Sequence, residues 1–324
     1  MGQADITHQS ARYLPGEVLT DEYRIPVLPA ATPGKYRIIT GVYITLPEGG
    51  WRRLALEDGS DSVVLAGVDV RPWATPPVTR NPMDRRFAAG YALVGVDFDH
   101  SLPQTRVYLH WRSDGPLAGG YRAVLLDGTS ALAEGALPNV ERGGYFSTAH
   151  DLPGDDNLAL EVRDDQGKPS ALSGLVPATK VALPRTSQQE RYVNLGGEMI
   201  LLRAEFPTLS EGGAPVRTRL VFLGAKAITR DYSVSVSLVG DAGQWKSQHD
   251  GTPALGAIPT YKWLRGATIS DPHEIVLPDG ASGRASLWLT VYDAYTVKPL
   301  PVLDDRLARL GQGTQMQVGA VEVR

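Results

Sequence analysis

Apolar and polar residues alternate along many short segments of this chain, and turn residues separate those segments. The clearest case is residues 232–240, where Val234, Val236 and Leu238 alternate with serines, as in a strand with one face in solvent. Similar segments are residues 34–43, 90–98, 105–111, 121–128, 197–206, 218–223 and 283–292. Gly (35) and Pro (24) are plentiful, and no long amphipathic helical run occurs. The pattern predicts an all-β protein.

Two stretches, residues 13–70 and 260–323, carry the same residue types in the same order. The matching pairs are Gly16 and Gly266, Asp21 and Asp271, Ile25 and Ile275, Gly34 and Gly283, Tyr43 and Tyr292, and Val70 and Val323. Their spacing stays between 249 and 253 residues, which indicates an internal repeat. The chain is therefore expected to contain several copies of one β-module.

The spacing of the strands predicts tandem antiparallel β-sandwich modules, immunoglobulin-like or jelly-roll-like. We expect a partial module at residues 1–74, a divergent module at 85–184 and a complete module at 188–324, with a stiff linker at residues 72–77. The first module contains only the back half of the repeat, so one face of its sheet needs covering. The missing strands are expected upstream in a longer polypeptide, in a neighbouring module, or in a second chain of a homodimer.

Composition excludes several classes of function. The net charge is -4 and no basic stripe is present, so we expect no nucleic-acid partner. Absence of cysteine removes disulfides, thiolate catalysis and Cys-based zinc sites. No apolar run reaches the roughly 18–20 residues that span a bilayer, and the first residues lack a signal-peptide pattern. The chain is thus either cytosolic or a piece of a longer exported protein, and the partial first module favours the second interpretation.

Histidines and acidic pairs are the candidate chemical groups. The segments 97–100 and 248–250 place histidine close to aspartate, and turn or surface roles are favoured over a metal or general-base role. The acidic pairs are Asp58 and Asp61, Asp155 and Asp156, Asp164 and Asp165, and Asp304 and Asp305. Solvated turns are favoured for these pairs, with Ca²⁺ at Asp155 and Asp156 or glycosidic acid–base chemistry as alternatives. No catalytic residue, metal site or cofactor is predicted.

Tryptophans offer a possible binding platform, because sugars stack on exposed aromatic faces. Trp111 and Trp288 lie in predicted strands and are expected in the core. Trp245, Tyr261 and Trp263 flank the loop at 248–261 and could together contact a glycan. This makes a carbohydrate-binding accessory protein the first alternative function.

Several motifs together resemble a known group of modules. They are Gly197-Glu198 followed by Leu202, the Tyr232 strand ending in Asp241-Ala-Gly243, residues 248–250 before Pro259-Thr260 and Trp263, and Pro33-Gly34 with Tyr36-Arg37 before Gly41-Val42-Tyr43. These resemble the extracytoplasmic C-terminal β-sandwich repeats of polytopic membrane proteins in Chloroflexi-type bacteria, many of them similar to dolichyl-phosphate-mannose mannosyltransferases.

The resemblance implies architecture and location, and it carries over no catalytic residue. It implies a non-catalytic region at the cell surface, outside the cytoplasm, belonging to a larger, membrane-anchored glycosyltransferase-like protein. Such a region would act as a spacer or as a recognition surface for a glycan or a cell-surface protein. A glycoside hydrolase that uses an acidic pair is the second alternative.

Overall fold

The computed structural model describes residues 18, 20, 25, 27–46, 51–115, 120–154, 157–174 and 178–324. The regular secondary structure of the described chain is almost all β-strand, and its strand pairs are antiparallel except one, so the predicted all-β sandwich class is confirmed. Gly16, Asp21, Asp155 and Asp156 lie outside the described residues. Among the residues described, no helix has the length and hydrophobicity needed to cross a bilayer.

The first segment of the chain forms two small two-stranded sheets. Its strands are β1 (Gly34–Thr40), β2 (Tyr43–Thr45), β3 (Trp51–Arg53) and β4 (Val63–Val70). Strand β1 pairs with β4, and β2 pairs with β3, both antiparallel. We call the β1–β4 pair the first sheet.

The second sandwich contains eight strands in two four-stranded sheets. They are β5 (Asn81–Arg86), β6 (Tyr91–Asp99), β7 (Thr105–Ser113), β8 (Tyr121–Asp127), β9 (Ser130–Leu137), β10 (Tyr145–Leu152), β11 (Leu158–Asp164) and β12 (Val181–Ala182). One sheet has the order β10-β7-β6-β5 and the other β12-β11-β8-β9. Between them, Trp111 packs against Tyr91, Phe87 and Phe146. Burial of Trp111 confirms the core position predicted for it.

The third sandwich contains nine strands and one short helix. They are β13 (Glu190–Leu195), β14 (Met199–Glu205), β15 (Leu209–Ser210), β16 (Val216–Gly224), β17 (Tyr232–Gly240), β18 (Lys246–Gly251), β19 (Thr268–Ile275), β20 (Gly283–Asp293), α1 (Asp305–Arg309) and β21 (Met316–Val323). Its sheets have the orders β13-β14-β16-β19 and β15-β21-β20-β17-β18. Val234, Val236 and Leu238 of β17 are buried and its serines half-buried, as the alternation predicts.

Strand pairing supports the internal repeat at the level of register. In the first sheet Gly34 lies opposite Val70, and in the third sandwich Gly283 lies opposite Val323. Both ladders then shift register at the same place, between Ile38 and Ile39 and between Leu287 and Trp288. A β-bulge changes strand twist and aim, so a shared bulge marks a shared local design.

The predicted stiff linker at residues 72–77 is attached to the second sandwich near its start, because Trp73 exchanges two backbone hydrogen bonds with Tyr145, of 2.8 and 2.9 Å. The core position expected for Trp288 needs correction: the residue is only half-buried, because the unbroken alternation along β20 points it to the face opposite Leu287 and Leu289. Alternation along a strand separates its residues into two faces, but it does not determine which face is buried in the core.

Burial of His150 makes the second sandwich sensitive to acid. Its ring lies against Gly135, and its Nε2 is 3.1 Å from Thr148 Oγ1. Burial is the main cause that lowers the pKa of His150 to about 4. The unfolded chain therefore takes up a proton near pH 6.5 that the folded chain refuses until about pH 4.

We expect the free energy of unfolding to fall as the pH decreases from 7 to 4, by up to about 3 kcal/mol from His150 alone. Denaturant unfolding at half-unit pH steps measures this decrease. The variant His150→Gln keeps a polar partner for Thr148 and cannot titrate, so its stability should change much less between pH 6.5 and 4. If the free energy of unfolding fell equally with pH in both proteins, the acid sensitivity would not come from His150.

Candidate functional site: the joint between the sandwiches

The joint forms where the outer faces of two sheets meet. Strands β6, β7 and β10 of the second sandwich face β13, β14 and β16 of the third. A buried apolar cluster fills the contact: Tyr108, Tyr192, Ile200, Leu202 and Leu223. The rings of Tyr108 and Tyr192 lie 4.9 Å apart, and the Tyr192 hydroxyl donates to the Val78 carbonyl at 2.7 Å. Burial raises the pKa of both phenols, so they stay neutral donors.

Arg106 on β7 begins an ionic network at the edge of this joint. Its Nε and Nη2 donate to the two oxygens of Asp151 at 2.7 and 2.9 Å, a bidentate pair across neighbouring strands. Its Nη1 donates to Asp305 Oδ1 at 2.6 Å, on the short helix of the third sandwich. One guanidinium thus holds carboxylates from both sandwiches.

Arg306 on α1 makes the reciprocal contact. Its Nη2 donates to Asp99 at the end of β6 and, at 3.0 Å, to Asp304 Oδ2. Asp304 also caps α1, because its Oδ1 accepts from the backbone N–H of Arg306 at 2.8 Å. Both aspartates have fully buried side chains. Asp99 holds a turn as expected, since its Oδ1 accepts from the backbone N–H of Ser101 at 3.1 Å, although its side chain is buried. The solvated-turn role expected for Asp304 is wrong, because its side chain is fully buried beside Arg106 and Arg306.

Charge balance keeps the network ionised. Burial alone would raise the pKa of the Asp151 and Asp305 carboxyls, but the hydrogen bonds and charge of Arg106 lower both below the usual aspartate value. Such carboxylates stabilise the fold above the unfolded pKa of about 4 and lose that contribution as the pH falls further. At neutral pH the joint is a closed ionic clasp.

A second line of polar side chains runs across one sheet of the second sandwich, beside the Tyr192 ring. His110 Nε2 lies 2.9 Å from Asp97 Oδ2, and His110 Nδ1 lies 2.6 Å from Ser147 Oγ. A carboxylate only accepts, so Nε2 carries the ring proton and Nδ1 accepts from the serine in the neutral form. These are the residue types of a hydrolytic triad, but all three are at most 2% exposed. The line ties β6, β7 and β10 together at a place that substrate does not reach.

Segment 97–100 is therefore not surface chemistry, as the sequence suggested, but a buried part of β6 and the residue after it. Asp97 also accepts from the Arg80 backbone N–H at 2.9 Å, which anchors the approach to β5. The other predicted His–acid segment, 248–250, lies on β18. There His249 Nδ1 lies 2.9 Å from Nδ1 of His273, whose Nε2 contacts Asp271 at 2.9 Å. In the described part of the chain, no group of three or more His, Asp or Glu residues is placed to hold a metal ion.

A cleft of about 600 Å³ opens beside the joint. Its residues come from both sandwiches: Pro77, Val78, Thr79, Arg80, Leu202, Arg203, Val221, Leu223, Arg265, Gly266 and Thr268. The volume is in the range of small-molecule sites, and the lining mixes aliphatic side chains with a few polar groups. Sequence reasoning missed this cleft because its two walls are more than a hundred residues apart.

Three arginines line the cleft, and two of them are paired with glutamates. Arg80 Nη1 is 3.2 Å from Glu190 Oε1, and Arg203 Nη1 is 3.1 Å from Glu205 Oε1. Arg265 is exposed and donates to the Pro76 carbonyl, with no carboxylate partner among the described residues. At the buried side of the wall, Thr79 Oγ1 and Arg80 Nη1 lack a partner with hydrogen-bond geometry in the described structure.

The three aromatic residues proposed from the sequence do not share one surface. Trp263 is 1% exposed, packs on Phe222, and donates from Nε1 to the Ile258 carbonyl at 3.0 Å. Tyr261 is 51% exposed, with the Lys262 ammonium 5.8 Å from its ring centre. Trp245 is half-buried and donates to the Ser282 carbonyl at 3.2 Å. A platform that includes Trp263 is excluded because its ring belongs to the core.

The described acidic pairs hold turns or bind arginine. Asp58 accepts from Ser60, and these hydrogen bonds lower its pKa. Asp164 accepts from two backbone N–H groups of its own turn, at 3.1 and 2.8 Å. A glycosidic acid needs a carboxyl with a raised pKa, whereas hydrogen bonds lower that of Asp58 and arginine lowers that of Asp305. The Ca²⁺ alternative at Asp155 and Asp156 falls outside the described residues.

Comparison with known proteins gives little further definition. No family model and no curated protein matches the chain. One solved structure that resembles it is a calcium-binding mutant of Bacteroides uniformis beta-glucuronidase 2, with a TM-score of 0.24 and 11% sequence identity. The match covers 82% of this chain and 32% of that chain, so this chain corresponds to about a third of that protein's length.

Proposed function

We propose that this chain is a non-catalytic, extracytoplasmic β-sandwich region of a larger, membrane-anchored glycosyltransferase-like protein. Its role is recognition: two sandwiches, locked together, present the cleft at their joint to a carboxylate-bearing saccharide at the cell surface. The membrane-anchored context rests on the motifs around Gly197, Tyr232 and Tyr36. The recognition role rests on the cleft.

The observation that carries the recognition role is the position of the cleft at the joint, where Leu202 and Leu223 belong both to its lining and to the buried apolar cluster. One wall comes from residues 77–80 before β5, and the other from β14, β16 and the loop at Arg265. A site shared by two domains keeps its shape only if the domains keep their relative orientation. The clasp and the buried tyrosines provide that rigidity, and a preformed site loses less entropy when a ligand binds.

The lining selects the chemistry of the ligand. Arginine presents a planar fork that matches a carboxylate, and it is less strongly hydrated than lysine. Arg265 has no acidic partner among the described residues, so it can pair with a ligand carboxylate. Pro77, Val78 and Val221, which are half-buried, supply an apolar wall for the C–H face of a sugar ring. A neutral saccharide would leave the arginine charge unused, so an acidic saccharide fits better.

Arg265→Ala is expected to weaken binding of a uronate-containing oligosaccharide at least about tenfold, because a hydrogen bond to a charged group contributes about 1.5–3 kcal/mol. Isothermal titration calorimetry on the full chain measures the affinity, with a neutral oligosaccharide of equal length as the ligand control. Arg122→Ala is the protein control. It removes one positive charge from the far sheet of the second sandwich, where Arg122 pairs with Glu134 at 3.0 Å.

The control variant should bind like the unmodified chain, and the neutral sugar should bind more weakly than the acidic one. Equal affinity of Arg265→Ala and Arg122→Ala would remove the cleft from the proposal. Failure of the unmodified chain to bind any member of an acidic panel would remove the recognition role.

A further inference from the structure

Within the part of the chain that the structure describes, nothing covers the apolar face of the first sheet, although its counterpart in the third sandwich is buried. The repeat aligns Val63, Leu65 and Val68 of β4 with Met316, Val318 and Val321 of β21. The β4 residues are 43%, 61% and 44% exposed, whereas the β21 residues are 0%, 2% and 0% exposed. The same sequence pattern, register and bulge thus occur once with a cover and once without.

The outer edge of β1 also lacks the partner strand that its counterpart β20 has. In the third sandwich β17 pairs along β20, with Val234 opposite Val291 and Leu238 opposite Leu287. In the described chain β1 pairs only with β4, so its other edge has no strand beside it. Val42 aligns with Val291 and is 66% exposed, against 2% for Val291. An unpaired edge beside an apolar face is a template for strand addition.

The opposite face of the first sheet is suited to water. Lys35, Arg37 and Asp69 are exposed there, beside the paired apolar residues Ile39 and Val64. Only this face carries charged side chains, which matches a half-sandwich that packs on its other side. This polarity favours an occupant that brings both a strand for the edge and a second sheet for the face.

We propose that the first sheet docks the front half of another module of this same repeat. That front half supplies a strand like β17 for the edge of β1 and strands like β13, β14 and β16 for the apolar face. The third sandwich dictates the register: the residue like Leu238 lies opposite Ile38, and the residue like Val234 lies opposite Val42. Because the front half precedes the back half in the third sandwich, the occupant is assigned to the same polypeptide, N-terminal to Val18. This inference does not depend on the ligand of the cleft.

A peptide with the sequence of residues 231–240 tests the docking on the full chain. Hydrogen exchange read by mass spectrometry should show at least about tenfold slower exchange in residues 34–42 when the peptide is present, since strand addition pairs backbone N–H groups. A peptide of the same composition, with the apolar residues shifted by one position, should give no protection. That shift turns its apolar side chains to the wrong face.

Two chain variants separate the faces. Leu65→Lys places a charge on the apolar face and should abolish protection, whereas Ile39→Lys changes a residue on the other face and should retain it. Both side chains are exposed, 61% and 53%, so neither replacement disturbs packing in the described structure. Unchanged exchange in residues 34–42 with the correct peptide would overturn the proposal. So would a dimer in analytical ultracentrifugation that Leu65→Lys dissociates, because the occupant would then be a second copy of this chain.

Discussion

Replacing Arg306 with alanine is expected to lower the free energy of unfolding by about 3–5 kcal/mol, because the change leaves buried carboxylates without their cation. Asp99 and Asp304 both have fully buried side chains and both accept from the Arg306 guanidinium. Neither reaches water without separation of the two sandwiches. Urea unfolding at pH 7 measures the loss.

The matched control is Arg309→Ala, four residues from Asp305 on the same short helix. Its side chain is 74% exposed, so its pair with Asp305 should contribute less than about 1 kcal/mol and should weaken in salt. Small-angle scattering adds a second measurement, since loss of the clasp should broaden the distance distribution of Arg306→Ala and not of Arg309→Ala. Similar stability of both variants would show that the clasp does not lock the joint.

Strand positions and the repeat were predictable because they depend on local patterns. The alternation in residues 232–240 defined the strand and its buried face. The paired glycines at 34 and 283 fixed the comparison between distant segments, and the structure shows the same pairing register in both. Predicting these features requires only the neighbouring residues in sequence and the period of a strand.

The joint was not predictable by the same reasoning. Strand β7 alternates Val107 and Leu109 with Tyr108 and His110, which suggests one wet face. The structure covers that face with Tyr192, more than eighty residues later. Tyr108 and His110 were the available indication that this face is covered, because a solvated strand face does not need such residues. The pairing of Arg106 with Asp305 could not be predicted, because only the fold brings these two residues together.

The burial of individual residues in an irregular loop could not be predicted from the sequence either. Tyr261 and Trp263 are two residues apart and have similar neighbours, yet one is exposed and the other buried. The intervening chain is a 3₁₀ turn, Thr260–Lys262, and such a turn has no period from which burial can be read. The buried Thr260 side chain, which bonds the Arg230 carbonyl and Asp231, turns the chain so that Trp263 enters the core.

Trp263→Ala is expected to reduce the free energy of unfolding by about 3–5 kcal/mol, since it removes a large buried side chain and leaves a cavity beside Phe222. It also leaves the Ile258 carbonyl without its indole donor. Tyr261→Ala, two residues earlier and half exposed, should cost less than about 1 kcal/mol. Denaturant unfolding followed by the remaining tryptophans compares the two variants. A Trp263→Ala protein that keeps its stability but loses saccharide affinity would instead place that ring in a binding surface.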